Sequence, residues 1–101
     1  MSKQIVLKLW NERYGSKEDV YDYSGRLMKK FAIGNQNSSY EPTIDHIRPI
    51  SRGGKDDVEN LVICNRISNQ EKADKFSTWN TNDKTFQAVR LKGNRSAYKI
   101  Q

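Results

Sequence analysis

The sequence is poor in the residues that staple a chain or anchor it in lipid. It has one cysteine, Cys64, one histidine, His46, two prolines, and no uninterrupted apolar run longer than four residues, Leu61 to Cys64. A single thiol cannot close an internal disulfide, and one Cys with one His cannot assemble a structural zinc site of the usual four N/S ligands. Any metal must therefore be held mainly by oxygen. Runs this short exclude a transmembrane helix and a signal-peptide core, so a cytoplasmic chain with no membrane partner is expected. Leu, Ile, Val and Phe number 21 of 101 residues, only just above the roughly 20% below which a charged chain stays disordered. The core is expected to be thin, and a bound ion would help it. At this length, with 35% hydrophobic and 30% charged residues, no second core fits and residues 1–101 read as one domain.

What the chain has is positive charge. Lys and Arg outnumber Asp and Glu by 18 to 12, a net charge of +6 with an isoelectric point near 9.6. This favours an anionic partner, nucleic acid first. Residues 1–40 carry seven bases and four acids, residues 41–80 six and seven, and residues 81–101 five and one. A mildly acidic centre between basic flanks suits a hard cation with a polyanion held against it. Ordinary solvated surface would give the same pattern.

The local signals divide the chain into short elements. Ser2 as N-cap, Ile5, Val6, Leu9 and Trp10 on one face, and Gly15 at the end predict a helix over Lys3–Tyr14. Val20–Tyr23 and Arg26–Phe31 flank Ser24-Gly25 and predict a short hairpin. Gly34–Ser39 is a polar loop. Thr43–Ile47 reads as a strand confined by Pro42 and Pro49, and Asn60–Ile63 as a second strand, antiparallel to it across a loop pinned by Gly53-Gly54. A helix is predicted from Arg66 to Lys75, with Ser68 and Glu71 matching a capping box. Thr85–Leu91 and Ala97–Ile100 are two further elements, separated by a Gly93-Asn94 turn. The fold class expected is α+β.

Strand, glycine-bearing loop, strand, helix is a common order, and the polar residues placed on it carry the information. Asp45 and His46 lie on the first strand, Asn60 fourteen residues after His46, Asn69 nine further on, and Lys72 one helical turn later. This pattern resembles the HNH endonuclease family, whose ββα-metal (His-Me finger) motif puts an Asp-His pair on the first strand, an Asn at the start of the second, and an Asn or His on the helix. The segments Tyr40–Gly54 and Val58–Ile63 look like family text throughout, and the motif covers about residues 40–75. Its spacing is similar to that of the HNH module of RNA-guided CRISPR nucleases, where the last ligand is Asn. Trp10, Tyr14-Gly15 and Asp22–Arg26 are similar, more weakly, to small stand-alone bacterial and phage HNH proteins. Many relatives carry two Cys-x-x-Cys pairs for a structural zinc. This chain has none, so no structural zinc is expected and support for the motif must come from ordinary packing.

The chemistry of phosphodiester hydrolysis points to the same residues. It needs a water deprotonated near neutral pH, charge neutralisation at phosphorus, and help for the departing oxygen. His46 is the candidate general base, since imidazole can accept a proton near pH 7 where Lys and Arg cannot. Asp45 supplies a carboxylate and Asn69 a carbonyl oxygen, hard donors suited to Mg²⁺, with Mn²⁺ or another divalent ion able to substitute. Asn60 can bond backbone groups of the 47–58 loop and so aim His46. Lys72 is placed to touch a phosphate beside the metal, and Lys75, Arg66, Arg48 and Arg52 to bind the flanking DNA backbone. Each residue alone has a plainer reading: an inert histidine, a turn acid, a helix-surface amide, a turn asparagine, solvated cations. Their joint spacing argues against coincidence.

One geometric tension follows. Consecutive strand residues point to opposite faces, so Asp45 and His46 can flank one phosphate only if the strand ends or twists there. The expected activity is Mg²⁺-dependent DNA cleavage, one strand per visit, with a homodimer or partner subunit needed for a double-strand break. The rivals are a DNA-docking module of a larger assembly with little cleavage, and a basic RNA-binding domain without metal chemistry. Trp10, Tyr14, Tyr21, Tyr23 and Tyr40 are expected mostly to pack rather than stack on bases.

Overall fold

Ser2 opens the chain's longest helix. Its hydroxyl accepts a hydrogen bond from the Ile5 amide at 3.3 Å, and α1 runs Lys3–Tyr14 until Gly15, at φ 61°, turns the chain away. Val6, Leu9 and Trp10 bury one face of α1, while Ile5, expected among them, is half exposed. Trp10 is fully buried, donates its indole N–H to the Lys17 carbonyl at 2.9 Å and meets Tyr14 edge-on. The computed structural model describes residues 1–101.

β1 (Asp19–Tyr21) and β2 (Leu27–Lys29) pair antiparallel, Val20 opposite Met28. Asp22 closes their turn: its Oδ1 accepts from the Ser24 amide, the Ser24 hydroxyl and the Arg26 amide. Such a side chain imitates a backbone turn, which is why this hairpin forms without a longer apolar run. β3 (Pro42–His46) and β4 (Leu61–Asn65) form the second hairpin, in a register that sets Asp45 opposite Val62 and His46 opposite Leu61. α2 (Arg66–Lys72) follows β4 without a break and lies against β3 and β4. The hydrophobic core joins Val6, Leu9 and Trp10 of α1 to Met28, Ile33 and Ile63. Thin as it is, the radius of gyration is 12.9 Å, matching the roughly 13 Å of a folded chain of this size.

Three sequence expectations change here. The N-cap of α2 is Asn65, whose side chain accepts from the Ile67 amide, and not Ser68, whose buried hydroxyl bonds Asp22 and Ser24 instead. α2 also stops at Lys72 rather than Lys75, because Ala73 takes φ 53°, which a residue bearing a Cβ seldom adopts. The tail does not form one element over Thr85–Leu91. It makes two hairpins, β5 (Trp79–Thr81) with β6 (Lys84–Phe86), and β7 (Ala88–Arg90) with β8 (Tyr98–Ile100). Asn82 and Asp83, both at positive φ, make the first of these turns.

The absent cysteine pairs are not replaced by apolar packing alone. Asp22 Oδ2 accepts from the Asn65 amide at 3.0 Å and the Ser68 hydroxyl at 2.7 Å, and Ser24 and Ser68 share a 3.1 Å hydrogen bond. Asn65 in turn donates through Nδ2 to Leu27 and Ser39 carbonyls. All four side chains are buried. The network ties the first hairpin to the start of α2, the kind of joint a metal would otherwise make.

No helix is long and apolar enough to cross a membrane.

Candidate functional site

The site residues stand on β3, α2 and the segment between the β3–β4 strands. That segment is shaped by close backbone contact. Gly54 lies against the Arg48 carbonyl, where a Cβ would come within 1.8 Å, and its amide donates to Pro49. No larger residue fits there. Asn60, in a single 3₁₀ turn just before β4, is fully buried, and its amide is saturated. Oδ1 accepts from the Arg48 amide at 2.9 Å, and Nδ2 donates to the Arg48 carbonyl at 3.0 Å and the Lys55 carbonyl at 2.8 Å. Together with the Ile47 amide bonding the Asn60 carbonyl, this closes the loop into a fixed arch beside His46.

β3 ends at His46, one residue short of the expected Ile47, and the two neighbours at its end take different partners. Asp45 reaches α2, where its Oδ2 lies 2.9 Å from the Lys72 ammonium. Oδ2 is buried, and the Lys72 ammonium is the donor that reaches it, at an angle short of an ideal hydrogen bond. Burial pushes the Asp45 carboxyl above its ordinary value, and the Lys72 charge offsets only part of this. His46 reaches the arch, its Nε2 lying 2.7 Å from Oδ1 of the exposed Asp56. With Nε2–H donated to Asp56, Nδ1 is the nitrogen left to accept a proton. Asp56 was not among the residues singled out in the sequence; an acid in a polar loop gives no signal until the loop's path is known.

Asn69, on α2, meets β3 at Thr43, two residues before Asp45. Its Nδ2 donates to Thr43 Oγ1 at 3.1 Å, which leaves the carbonyl oxygen for another partner. Lys72 departs from its expected place on the surface. It is fully buried, donating to the His46 carbonyl at 3.2 Å and lying 5.2 Å from the centre of the Trp79 ring. A phosphate outside cannot touch it without rearrangement. Among the other cations, Lys75 is exposed and Arg52 pairs loosely with Asp74 at 3.3 Å. Arg66 is drawn to Glu41 and the Ser38 carbonyl. Arg48 donates to the Arg52 carbonyl and the Tyr98 hydroxyl, its guanidinium 5.0 Å from the Phe76 ring.

Whether these residues fit a divalent ion can be judged from the donors themselves. No three His, Cys, Asp or Glu side chains gather into a ligand cluster. The donors are one buried carboxylate oxygen, which the Lys72 ammonium now occupies at 2.9 Å, and one amide carbonyl on the neighbouring helix. That set is wrong for zinc and suits a hard cation that keeps most of its waters.

A hairpin with an Asp-His pair at its first strand's end, closed by a buried Asn and backed by a short helix, defines a class of small nucleases. The chain belongs to the HNH endonuclease family, whose model matches residues 22–78. No curated protein and no solved structure gives a match. Members of the family are nucleases, act on nucleic acids and generally use a divalent metal ion.

Proposed function

We propose that the protein is a Mg²⁺-dependent endonuclease that hydrolyses DNA phosphodiester bonds and nicks one strand per site. The observation that carries this reading is the pairing of two differently held groups on adjacent residues. One is an imidazole held through Nε2 by Asp56; the other is a carboxylate whose Oδ2 is buried against the Lys72 ammonium. In this mechanism His46 takes a proton from a water at Nδ1 as that water attacks phosphorus in line, and Asp56 orients the ring. Asn60 is a positioning residue that keeps the arch, and with it Asp56, against His46. Asp45 and Asn69 would hold the divalent ion, which when bound would supply charge neutralisation at phosphorus and the leaving oxygen. Arg48 and Arg52 on the arch and Arg66 and Lys75 at the two ends of α2 are cations of the site's surroundings, and the exposed ones contact the DNA backbone. Lys72 acts from within, as the counter-charge of Asp45.

The Lys72–Asp45 pair also favours a second reading, a DNA-docking module in which an internal ammonium takes the ion's place and cleavage is negligible. Nicking of supercoiled plasmid in Mg²⁺ separates the two. The wild type should convert plasmid to open circles, and His46→Ala should slow this at least about a hundredfold. Asp45→Ala should abolish Mg²⁺ or Mn²⁺ binding measured by calorimetry. Equal nicking by wild type and His46→Ala would overturn the mechanism, and a wild type that binds duplex but no divalent ion would leave only docking.

A further inference from the structure

The chain after residue 78 lies outside the family match and has its own charge character. After Asp83 no acid follows, whereas Lys84, Arg90, Lys92, Arg95 and Lys99 do. The last four belong to the β7–β8 hairpin and its turn. All four are exposed, and none pairs with a carboxylate, although ion pairs form elsewhere on the molecule.

This hairpin is not a loose basic tail. Its turn is closed by the Leu91 amide on the Ala97 carbonyl at 2.9 Å and by Asn94 Oδ1 accepting from the Ser96 amide, with Gly93 at φ 80°. It is fixed beside the turn by buried Ala97 and Tyr98 and at its root by the Ala88 amide on the Phe76 carbonyl. The Tyr98 hydroxyl accepts from Arg48 Nη1 at 2.9 Å, and β8 packs on residues 58–60, the segment containing Asn60. One face of the hairpin is therefore locked to the arch that holds His46. At its tip Arg90, Lys92 and Arg95 line an open cleft of about 400 Å³ that no acid enters.

We propose that the β7–β8 hairpin is a clamp for the sugar–phosphate backbone of duplex DNA, gripping the substrate beside His46 through Lys92, Arg95 and Lys99, with Arg90 at the cleft. The inference rests on the nuclease reading and extends it to a part of the chain the family does not define. Unpaired cations on a fixed support attract a polyanion without first having to leave a carboxylate partner. A duplex is favoured over a single strand because the hairpin offers no base-stacking surface: its one aromatic, Tyr98, is buried.

The test is binding of the full chain to a fluorescein-labelled duplex of about 20 base pairs in EDTA, followed by anisotropy across a salt series. Lys92→Ala/Arg95→Ala/Lys99→Ala should weaken binding at least about tenfold near 100 mM NaCl and flatten the log–log salt slope by about 2–3. Lys8→Ala/Lys17→Ala/Lys30→Ala lowers the net charge equally but sits elsewhere, and should change affinity by less than about threefold. Lys92→Glu/Arg95→Glu, confined to two turn side chains that make no hydrogen bond or ion pair, should weaken binding with an unchanged melting temperature. Equal losses in the two alanine triples, or a hairpin triple that binds like wild type, would overturn the clamp. So would a hairpin-dependent loss as large for a single strand as for the duplex. If wild type nicks plasmid and His46→Ala does not, while the hairpin triple keeps the wild-type slope, the clamp fails and the nuclease stands. A hairpin-dependent slope in a protein that nicks nothing would do the reverse.

Discussion

Lys72 shows how a single side chain can change meaning between sequence and fold. At one helical turn from Asn69 it has the spacing of a phosphate contact, yet its ammonium is enclosed by Asp45, the His46 carbonyl and Trp79. The burial was not legible because its cause, Trp79, stands on a strand that the sequence does not announce. A buried cation of this kind is costly to remove alone, since its carboxylate partner stays behind without a counter-charge. Lys72→Met should therefore destabilise the protein by about 3–5 kcal/mol, read as a lowered urea midpoint. Adding Asp45→Asn should recover at least about 1 kcal/mol of that loss. Additive losses in the double variant would mean that the two groups do not support one another. Asp45 and His46 themselves were legible as an adjacent pair; that each takes a different partner follows from consecutive residues of β3 pointing to opposite faces at the end of the strand.

Among the elements, those with complete local signals form where the sequence puts them. α1 has its cap, apolar stripe and terminal glycine within residues 2–15, and the strands of the first two hairpins have short β-branched or aromatic runs of their own. The end of α2 and the tail were harder because long-range bonds decide them. Ser68 looks like an N-cap until Asp22, forty-six residues away, claims its hydroxyl, and the Asn82-Asp83 turn is a signal that reads clearly only once β5 is known. The Asp22 network is the element-scale counterpart of the Lys72 pair. One carboxylate accepts five hydrogen bonds, three from its own turn and two from the β4–α2 junction. Asp22→Ala leaves those donors buried without an acceptor, at a cost of about 3 kcal/mol or more, which for a chain of this size lowers the melting temperature by more than about 10 °C. Asp22→Asn, which keeps an acceptor oxygen, should lose less. Melting within a degree or two of wild type for the alanine variant would show that the hairpin is held by packing instead.

At the scale of the molecule, the question is how the family-defined part and the added hairpins act as one body, and Glu71 stands at that joint. Its Oε1 receives the Arg26 guanidinium at 2.8 Å, the Thr81 hydroxyl at 2.7 Å and the Asn82 amide at 3.3 Å, so one oxygen of α2 links β1–β2 to β5–β6. The Thr81 hydrogen bond first, then those from Arg26 and Asn82, hold the Glu71 carboxyl below its ordinary value of 4.5. A carboxyl depressed by folding stabilises the fold only while ionised. Its contribution is complete above the unfolded value and disappears as pH falls through the lower folded one. The stability gap between wild type and Glu71→Gln, measured by urea unfolding, should therefore be constant from pH 7 to about 5.5 and shrink steadily below 4.5. Because Glu71 is exposed, high salt should narrow the part of the gap that comes from the Arg26 charge and spare the part that comes from Thr81 and Asn82. A gap that persists unchanged to pH 3 would mean that the Glu71 side chain acts without its charge, and no gap at pH 7 would place the joint in the aromatic contacts of Tyr23 with Trp79 and Phe86, which carry no charge and do not respond to acid.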